Sequence, residues 1–292
     1  MNKFRLDHII IGMGRCGTTS LSAYIQQHPG INESPIKEVH YFSIDDHYSK
    51  GDGYLDEHFN KKQGITSTAD TYLLLSTEAP ARIKLHNPNI KISVLLRDPV
   101  SRTYSNYHYG INNGYEKENI SFLASKEKES KFINSDIILK NNLCHFEGSL
   151  YFKLLQNWLA HFDKDQIQIL LTSDLKNQPQ KVMNELSDFL AIDRFTINPL
   201  EKQNEAKQVK SKSMQQFLLN RDHWLRKTVR VPLKIKFIKS IVLKSGVNDK
   251  LHGINKKEGE GYPAMTEEER LFCVAYFKDD REALNTTFGV EV

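Results

Sequence analysis

The stretch HIIIGMGRCGTTSLSAYIQQHPG, residues 8–30, decides the fold. Its first part, HIIIG, is a short apolar run that ends in glycine, which is typical of a buried strand. After a glycine-rich turn, Leu21, Tyr24 and Ile25 share one helical face, and a Pro-Gly pair ends the helix. This order of elements makes a generic anion site, because the free N–H groups and the dipole at a helix N-terminus both point at the ligand.

The turn is similar to a phosphate-binding loop but lacks the lysine of that motif. Gly12 and Gly17 have the spacing of the two glycines in G-x-x-x-x-G-K-[ST], whereas Thr18 takes the lysine position and Arg15 lies inside the loop. Taken alone, the loop is also compatible with a plain strand–turn–helix junction. The glycines, the internal arginine and the hydroxyls of Thr18 and Thr19 favour a phosphate site.

Composition is consistent with one folded domain over residues 1–292. The chain is 39% hydrophobic and 10% aromatic, which argues against general disorder. The net charge of +4 is too small to imply a nucleic-acid partner, and we expect none. The sequence shows neither an internal repeat nor a clear linker.

Cysteine usage and the N-terminus indicate the compartment. The three cysteines are odd in number and form no C-x-x-C pair, so we expect neither a disulfide framework nor a zinc site. The N-terminus lacks the apolar run of a signal peptide, and no stretch approaches the length of a membrane span. We therefore expect a cytoplasmic protein, although a chain whose anchor had been removed would look the same.

Further strands and helices alternate along the chain. KEVHYFS alternates polar and apolar residues and is predicted as a strand, and IKISVLLRDP and QIQILLTSDL are predicted as buried strands. Amphipathic helices are predicted for SLYFKLLQNWLAHF and PQKVMNELSDFLAI, for a segment that starts at Pro99, and for a last segment capped by Thr266. The alternation predicts an α/β fold, P-loop-like and three-layered, with a central mostly parallel sheet and helices on both faces.

A second phosphate site is predicted where the strand IKISVLL ends. Arg97 falls at the carboxyl edge of the sheet, where open α/β sheets bind their ligands. Ser105 follows about two helical turns later, so both side chains can grip one phosphate. The alternative is that Arg97 pairs with Asp98 and that Ser105 is an ordinary polar helix position.

A carboxylate and an imidazole stand close together shortly after the first helix. Glu38 and His40 are two residues apart and would face the same way on a strand. Near a phosphate loop, such a pair can remove a proton from an attacking hydroxyl or amine. A solvated edge strand is the alternative for this segment.

Together the three pieces resemble the sulfotransferases that use 3′-phosphoadenosine 5′-phosphosulfate (PAPS), in particular the carbohydrate-sulfating branch related to heparan sulfate sulfotransferases. GRCGTTSL is similar to the family's 5′-phosphosulfate loop, LLRDPVSRTYSNY to its 3′-phosphate motif, and KEVHYF to the segment with its catalytic glutamate. KKEGEGYPAM stands where the family has a late glycine-rich cofactor loop.

The resemblance implies sulfuryl transfer from PAPS to a hydroxyl or amine, with adenosine 3′,5′-bisphosphate (PAP) as product, no metal, and a carbohydrate or glycoconjugate as the expected acceptor. It implies Glu38, His40 and Arg15 as catalytic residues. Its implied donor-binding residues are Arg15, Cys16, Gly17, Thr18, Thr19, Ser20, Arg97, Ser105, Lys256, Lys257 and Gly259.

Two positions depart from the family pattern. Arg15 cannot give up its proton outright, so we expect it to act electrostatically on the leaving phosphate oxygen. Heparan-type enzymes carry a further lysine in the segment similar to TSTADTYLL, where this chain has Thr68. Lys37 or His40 could compensate for that loss.

Residues 202–257 form a basic segment with fifteen Lys/Arg against three acids, a local net charge of about +12 that leaves about −8 elsewhere. Three interpretations stay open: a solvated cationic face, a platform for an anionic saccharide, and a contact with an anionic membrane surface.

Two rival functions also stay open. In a nucleotide kinase or NTPase, Asp98 would bind Mg²⁺, against which stand Thr18 in the lysine position and Arg97 at the strand end. In a non-catalytic nucleotide- or polysaccharide-binding protein, PAP would bind tightly without any transfer.

Overall fold

The computed structural model describes residues 4–59, 64–117, 119–200 and 262–292. Within them, five strands form one sheet in the order β2-β3-β1-β4-β5, and every neighbouring pair is parallel. The strands are β1 (His8–Gly12), β2 (Ile31–Glu33), β3 (Ile65–Asp70), β4 (Lys91–Leu96) and β5 (Ile167–Leu171).

Helices connect these strands. They are α1 (Thr18–Ile25), α2 (Asp45–Tyr48), α3 (Asp52–Asp56), α4 (Ala79–His86), α5 (Pro99–Asn112), α6 (Phe122–Lys128), α7 (Ile137–Leu143), α8 (Tyr151–Leu159), α9 (Thr172–Asn177), α10 (Pro179–Leu190) and the last helix (Glu267–Phe288). Short 3₁₀ turns lie at Leu73–Leu75, Glu129–Lys131, Glu147–Ser149 and Lys164–Gln166.

The sheet is covered on both faces. Ile9, Ile10 and Ile11 follow one another in β1 and are all fully buried. Because successive side chains of a strand point to opposite faces, both faces of the sheet must be packed against other elements. The predicted parallel sheet with helices on both faces is therefore confirmed.

The strand order creates a crevice at the carboxyl end of β1. The chain runs from β1 to the side of the sheet that holds β2 and β3, and later crosses to the side that holds β4 and β5. Such a switch point is where open parallel sheets bind ligands. The ends of β3, β1 and β4 all face this crevice, and the loop after β1 lies in its middle.

On the β2 side of the sheet one sequence prediction is wrong and one strand was missed. KEVHYFS is not a strand: β2 ends at Glu33, and the following segment is irregular. The alternation in that segment reflects burial of Val39, Tyr41 and Phe42 against the core. The strand β3 was not predicted, because ITSTAD is mostly polar, yet Thr66–Asp70 is buried in the sheet.

The helical predictions hold where amphipathic patterns and caps are clear. Pro99 begins α5, and Asp98 caps it by accepting a hydrogen bond from the Ser101 N–H. Thr266 and Glu269 form a capping box at the start of the last helix. Cys16, Cys144 and Cys273 are buried free thiols. No helix in the described ranges is long and apolar enough to cross a membrane.

Candidate active site

The loop after β1 has the backbone that its glycines predict. A Cβ on Gly12 would lie 2.8 Å from the Leu95 carbonyl oxygen of β4, so a larger residue would force the two strands apart. Gly17 adopts a left-handed φ of 89° immediately before α1. Arg15 also has a positive φ, of 76°, which is uncommon for a non-glycine residue and typical of functional loops.

Neighbouring elements fix this loop through its carbonyl groups. Thr172, the first residue of α9, shares its hydroxyl proton between the Cys16 carbonyl at 2.5 Å and the Leu96 carbonyl at 2.8 Å. Arg102 is fully buried in α5, and its Nε donates to the Gly14 carbonyl at 3.1 Å. Both contacts use carbonyl oxygens. Within the loop the Cys16 N–H donates to the Met13 carbonyl at 3.2 Å, so the donors left for a ligand begin at Gly17.

The first turn of α1 presents those donors. Among the described residues, no group accepts a hydrogen bond from the backbone N–H of Gly17, Thr18 or Thr19. The Thr18 side chain is buried and the Thr19 side chain is exposed. An anion bound against this turn would satisfy the free donors and the positive end of the helix dipole.

The structure brings the predicted residues Arg15, Arg97 and Ser105 together with Ser101, which was not predicted, into one group, called here the anion cluster. The Arg15 Nε donates to the Ser105 hydroxyl at 3.1 Å. The Arg97 Nη1 donates to the Arg15 carbonyl at 3.1 Å, and its Nε to the Ser101 hydroxyl at 3.2 Å. Ser101 and Ser105 are one helical turn apart, so α5 turns a single hydroxyl-bearing face to the loop.

Asp98 lies beside this cluster but forms a hydrogen bond with the start of α5 instead of with Arg97. Its side chain is exposed and caps α5 through the Ser101 N–H at 2.8 Å. Among the described residues Arg97 forms no ion pair with Asp98, which was the alternative prediction for this position. Arg97 instead turns towards the loop.

Glu38 and His40 do approach each other, by a route that the sequence pattern did not predict. They lie outside any strand and have left-handed φ values of 66° and 55°. The Glu38 Oε2 is 3.8 Å from the His40 Nε2, and both side chains are about one-fifth exposed, at 24% and 19%. Glu38 also contacts Lys37 and accepts a hydrogen bond from the Thr71 hydroxyl at 3.1 Å.

Asp70 is the residue of this site that sequence reasoning missed. It ends β3, is buried, and accepts hydrogen bonds from the His40 Nδ1 at 2.9 Å, the Ser43 hydroxyl at 2.9 Å and the Tyr72 N–H at 2.8 Å. Since a carboxylate only accepts, Nδ1 carries a proton and Nε2 faces Glu38. Asp70 could have been predicted as a site residue because it is an acid that ends a strand at the ligand-binding edge of the sheet. It was missed because β3 itself was not predicted.

The environment of His40 favours its charged form. Burial lowers the pKa of His40, but the hydrogen bond and negative charge of Asp70, together with the charge of Glu38, outweigh burial and raise it above the usual value. The Tyr72 ring stacks on the imidazole at 4.2 Å between centroids. The orientation of the His40 ring is therefore fixed by Asp70 at its edge and by Tyr72 on its face.

Thr68 lies deep in the sheet beside Ile9 and two residues before the end of β3. Its buried hydroxyl has no hydrogen-bond partner among the described residues. The short side chain cannot take the place of a long cation at the edge of the sheet. The remaining predicted residues, Lys256, Lys257 and Gly259, lie outside the described residues, as does the basic segment.

The family of the chain follows from a comparison of its sequence with known protein families. The sulfotransferase domain matches residues 5–268. The chain belongs to the sulfotransferase family. The match confirms the predicted family, in place of the nucleotide kinases, and the loop, Arg97 and Glu38 all lie within the matched range.

Relatives and a solved structure agree with this sulfotransferase assignment. The chain is 25% identical over 277 residues to the membrane-associated sulfotransferase kil1 of Dictyostelium discoideum, covering 68% of this chain and 58% of that one. It is 27% identical over 193 residues to heparan sulfate glucosamine 3-O-sulfotransferase 5 of Mus musculus, covering 62% and 52%. The chain thus spans little more than half the length of these relatives.

The fold is similar to that of a sulfotransferase from Alicyclobacillus acidocaldarius. The TM-score is 0.66 at 20% identity, and the similarity covers 99% of this chain and 98% of that one. The predicted P-loop-like α/β fold is therefore confirmed for this sulfotransferase.

Proposed function

We propose that this sulfotransferase moves a sulfuryl group from PAPS to a hydroxyl or amine of a saccharide acceptor. The observation that carries the proposal is the arrangement of two unlike groups around one crevice. The anion cluster lies at the ends of β1 and β4, and the Glu38–His40 pair lies at the end of β3, the next strand. The first suits a phosphate-rich donor, and the second suits removal of a proton from an acceptor.

The residues present fit such a donor. PAPS carries an activated sulfuryl group on its 5′-phosphate, and it has a separate 3′-phosphate that a protein can bind. The free N–H groups of the first turn of α1, with the hydroxyls of Thr18, Thr19 and Ser20, would bind the 5′ side. Arg97 and Ser105 would bind the 3′-phosphate, because a guanidinium grips phosphate with two hydrogen bonds.

Glu38 is the proposed general base. It takes the proton from the acceptor oxygen or nitrogen, whose electron pair forms the new bond to sulfur. The bond between sulfur and the 5′-phosphate oxygen breaks, and its electron pair stays on that oxygen. Arg15 stabilises the charge that develops there without transferring its own proton. His40 keeps the Glu38 carboxylate in place through its Nε2.

Thermal unfolding tests this proposal. A ligand that binds only the folded protein stabilises it by about 2.7 kcal/mol at a concentration of 100 Kd. We expect PAP to raise the Tm of the unaltered protein without added metal, and ATP with Mg²⁺ to have a much smaller effect. A shift with Mg-ATP alone would contradict the proposal and favour a kinase or NTPase.

The choice of a saccharide, the cytoplasmic location and a membrane contact of the basic segment 202–257 stay proposals. The mouse relative is named for a glucosamine of heparan sulfate, and the Dictyostelium relative is named as membrane-associated. Sedimentation with vesicles of phosphatidylserine, compared with phosphatidylcholine vesicles, would test the membrane contact. Binding that is the same for both, or absent from both, would contradict it.

A further inference from the structure

A fully buried arginine lies against the loop after β1 and takes no part in the mechanism above. Arg102, in α5, donates from its Nε to the Gly14 carbonyl at 3.1 Å. Its Nη1 donates to the His145 carbonyl at 2.8 Å and to the Ser149 hydroxyl at 3.1 Å. Its Nη2 is buried and has no hydrogen-bond partner among the described residues. These contacts fix the guanidinium, and with it a positive charge, next to the loop.

The charge of Arg102 has no contacting counter-charge in the part of the chain that the structure describes. Glu129, a buried acid near the same turn, uses its two oxygens for two backbone N–H groups instead. Burial raises the pKa of Glu129 to about 7, so about half of it is uncharged at neutral pH. The arginines that form ion pairs in the described ranges are Arg82, Arg194 and Arg270.

A cation in this position is costly, and the chain nevertheless makes room for it. A buried charge without a partner destabilises a fold, and hydrogen bonds to neutral oxygens offset only part of that cost. A Cβ on Gly148 would lie 2.9 Å from the Arg102 Nη1 and 2.8 Å from the end of the Met13 side chain. Anchoring the loop does not require a charge, because a neutral amide also donates to carbonyl oxygens. The charge itself therefore calls for a function.

The loop lies between this guanidinium and the predicted anion site. Its Gly14 carbonyl accepts from Arg102, whereas the free N–H groups at residues 17–19 are available to a ligand. Because Arg102 is fully buried, its attraction to an anion across the loop is screened less than that between two surface charges. Arg15 and Arg97, in contrast, are partly exposed and contact the anion cluster directly.

We propose that Arg102 is a positioning residue of the donor site, whose buried charge attracts the 5′-phosphate across the loop. The bound phosphate in turn supplies the counter-charge that Arg102 lacks. Arg102 touches neither the donor nor the reacting atoms, which distinguishes it from Arg97, the proposed direct ligand of the 3′-phosphate. This inference rests on the proposed function, because it takes PAPS or PAP as the ligand of the loop.

The test compares three ligands by calorimetric titration of the full chain. They are PAP, adenosine 5′-monophosphate, which lacks the 3′-phosphate, and adenosine 3′-monophosphate, which lacks the 5′-phosphate. Arg102→Met keeps a long side chain without the charge. We expect it to bind PAP and the 5′-monophosphate at least about tenfold more weakly, because only these ligands lose an attraction. Its affinity for the 3′-monophosphate should stay within about twofold of that of the unaltered protein.

Three further variants separate charge from structure. Arg102→Lys keeps the charge but loses the forked set of donors, and should recover most of the PAP affinity. Ser149→Ala removes one hydrogen bond of the same guanidinium without changing any charge, and should bind all three ligands as the unaltered protein does. Arg97→Ala should show the opposite pattern, with weaker binding of PAP and the 3′-monophosphate and normal binding of the 5′-monophosphate.

Circular dichroism and urea unfolding show whether each variant is folded. If Arg102→Met does not fold, Arg102→Gln, which keeps an N–H donor without the charge, replaces it and should give the same ligand pattern. Failure of both neutral variants to fold would assign Arg102 a structural role and overturn the inference.

Four results with folded variants would also overturn it. Arg102→Met could weaken all three ligands equally, spare the 5′-monophosphate or leave PAP binding unchanged, or Arg102→Lys could bind PAP as weakly as Arg102→Met. Each of these leaves the proposed function standing as long as the unaltered protein binds PAP. Absence of PAP binding by the unaltered protein contradicts the proposed function itself, and the inference about Arg102 fails with it.

Discussion

The proposed donor and acceptor halves of this crevice are held by different kinds of structure. The donor half is a loop between β1 and α1, with Arg97 at the end of β4, and its carbonyl groups are fixed by Thr172 and Arg102. The acceptor half is an irregular segment in which Glu38 and His40 have left-handed backbones. A buried side chain from another strand, Asp70, holds it.

This difference shows how the two functions are separated. Regular elements place the donor groups, so their geometry depends on the sheet and on α5. Side-chain contacts place the acceptor groups, so single substitutions should alter them without altering the donor half. The following predictions test that separation, from the largest expected effect to the smallest.

Glu38→Gln should have the largest effect on catalysis. The amide keeps the shape of the side chain but cannot accept the acceptor's proton, so kcat should fall about 10²–10⁴-fold. The measurement is the rate of PAP formation from PAPS at saturating acceptor. Lys37→Met, which removes the neighbouring cation but leaves the carboxylate, is the comparison variant. Near-normal turnover by a folded Glu38→Gln protein would exclude Glu38 as the base.

Arg97→Lys should weaken the donor half alone. Lysine keeps the charge but loses the two-pronged grip and the hydrogen bond to the Arg15 carbonyl, so the KM for PAPS should rise about 10–100-fold. The KM for the acceptor should stay the same. Initial rates with each substrate varied in turn make the measurement. An equal rise of both constants would show that the halves are not separate.

Asp70→Asn should alter the acceptor half through His40. Loss of the negative charge leaves burial as the main influence, so the pKa of His40 should fall below its value in the unaltered enzyme. We expect kcat to fall on the order of tenfold and the His40 limb of the pH–rate profile to move to lower pH. Ser43→Ala removes only a hydrogen bond to the same carboxylate and should leave that limb in place. An unmoved limb in Asp70→Asn would leave Asp70 with a purely structural role.

Asp70→Asn should also change how the free energy of unfolding depends on pH. A raised His40 pKa contributes stability that is fully present below the unfolded pKa, near 6.5, and is lost as the pH rises through the folded value. Asp70→Asn should abolish that gain at acidic pH. Comparing the free energy of unfolding of both proteins at pH 5.5 and pH 8 measures it.

Glu33→Gln should have the smallest effect on activity, because Glu33 ends the edge strand β2 and its hydrogen-bond partner is Ser22, which has no role in the proposed mechanism. Burial raises the pKa of Glu33 to about 8, against lowering by the Ser22 hydrogen bond and by Lys37. The unaltered protein should therefore lose stability as the pH rises from about 4.5 to about 8, on the order of 5 kcal/mol. Glu33→Gln should lose less over that range, as measured by urea unfolding. Glu282→Gln, at an exposed position, should show the slope of the unaltered protein.

The sequence predicted the donor half well because local patterns specify it. HIIIG, the glycine loop and the helix start at Pro99 can each be predicted from about ten residues of sequence, and in the structure Arg15, Arg97 and Ser105 belong to one group of contacts. Even there, the direct contact of Arg15 with Ser105 was not predicted, because ninety residues separate them.

The acceptor half could be predicted only in part. The motif named Glu38 and His40, but not their backbone, because left-handed conformations at non-glycine residues are imposed by tertiary contacts. Asp70 comes from β3, and only the fold brings it to His40. Asp70 was not predicted because β3 is mostly polar and lacks the apolar pattern from which a buried strand is predicted.

Calorimetric titration of PAP into Glu38→Gln and Arg97→Ala, side by side, tests the separation of the two halves most directly. We expect Glu38→Gln to bind PAP as the unaltered protein does while sulfuryl transfer is lost, and Arg97→Ala to bind PAP at least about tenfold more weakly. Normal PAP binding by Arg97→Ala, or equal loss of binding in both variants, would contradict the account.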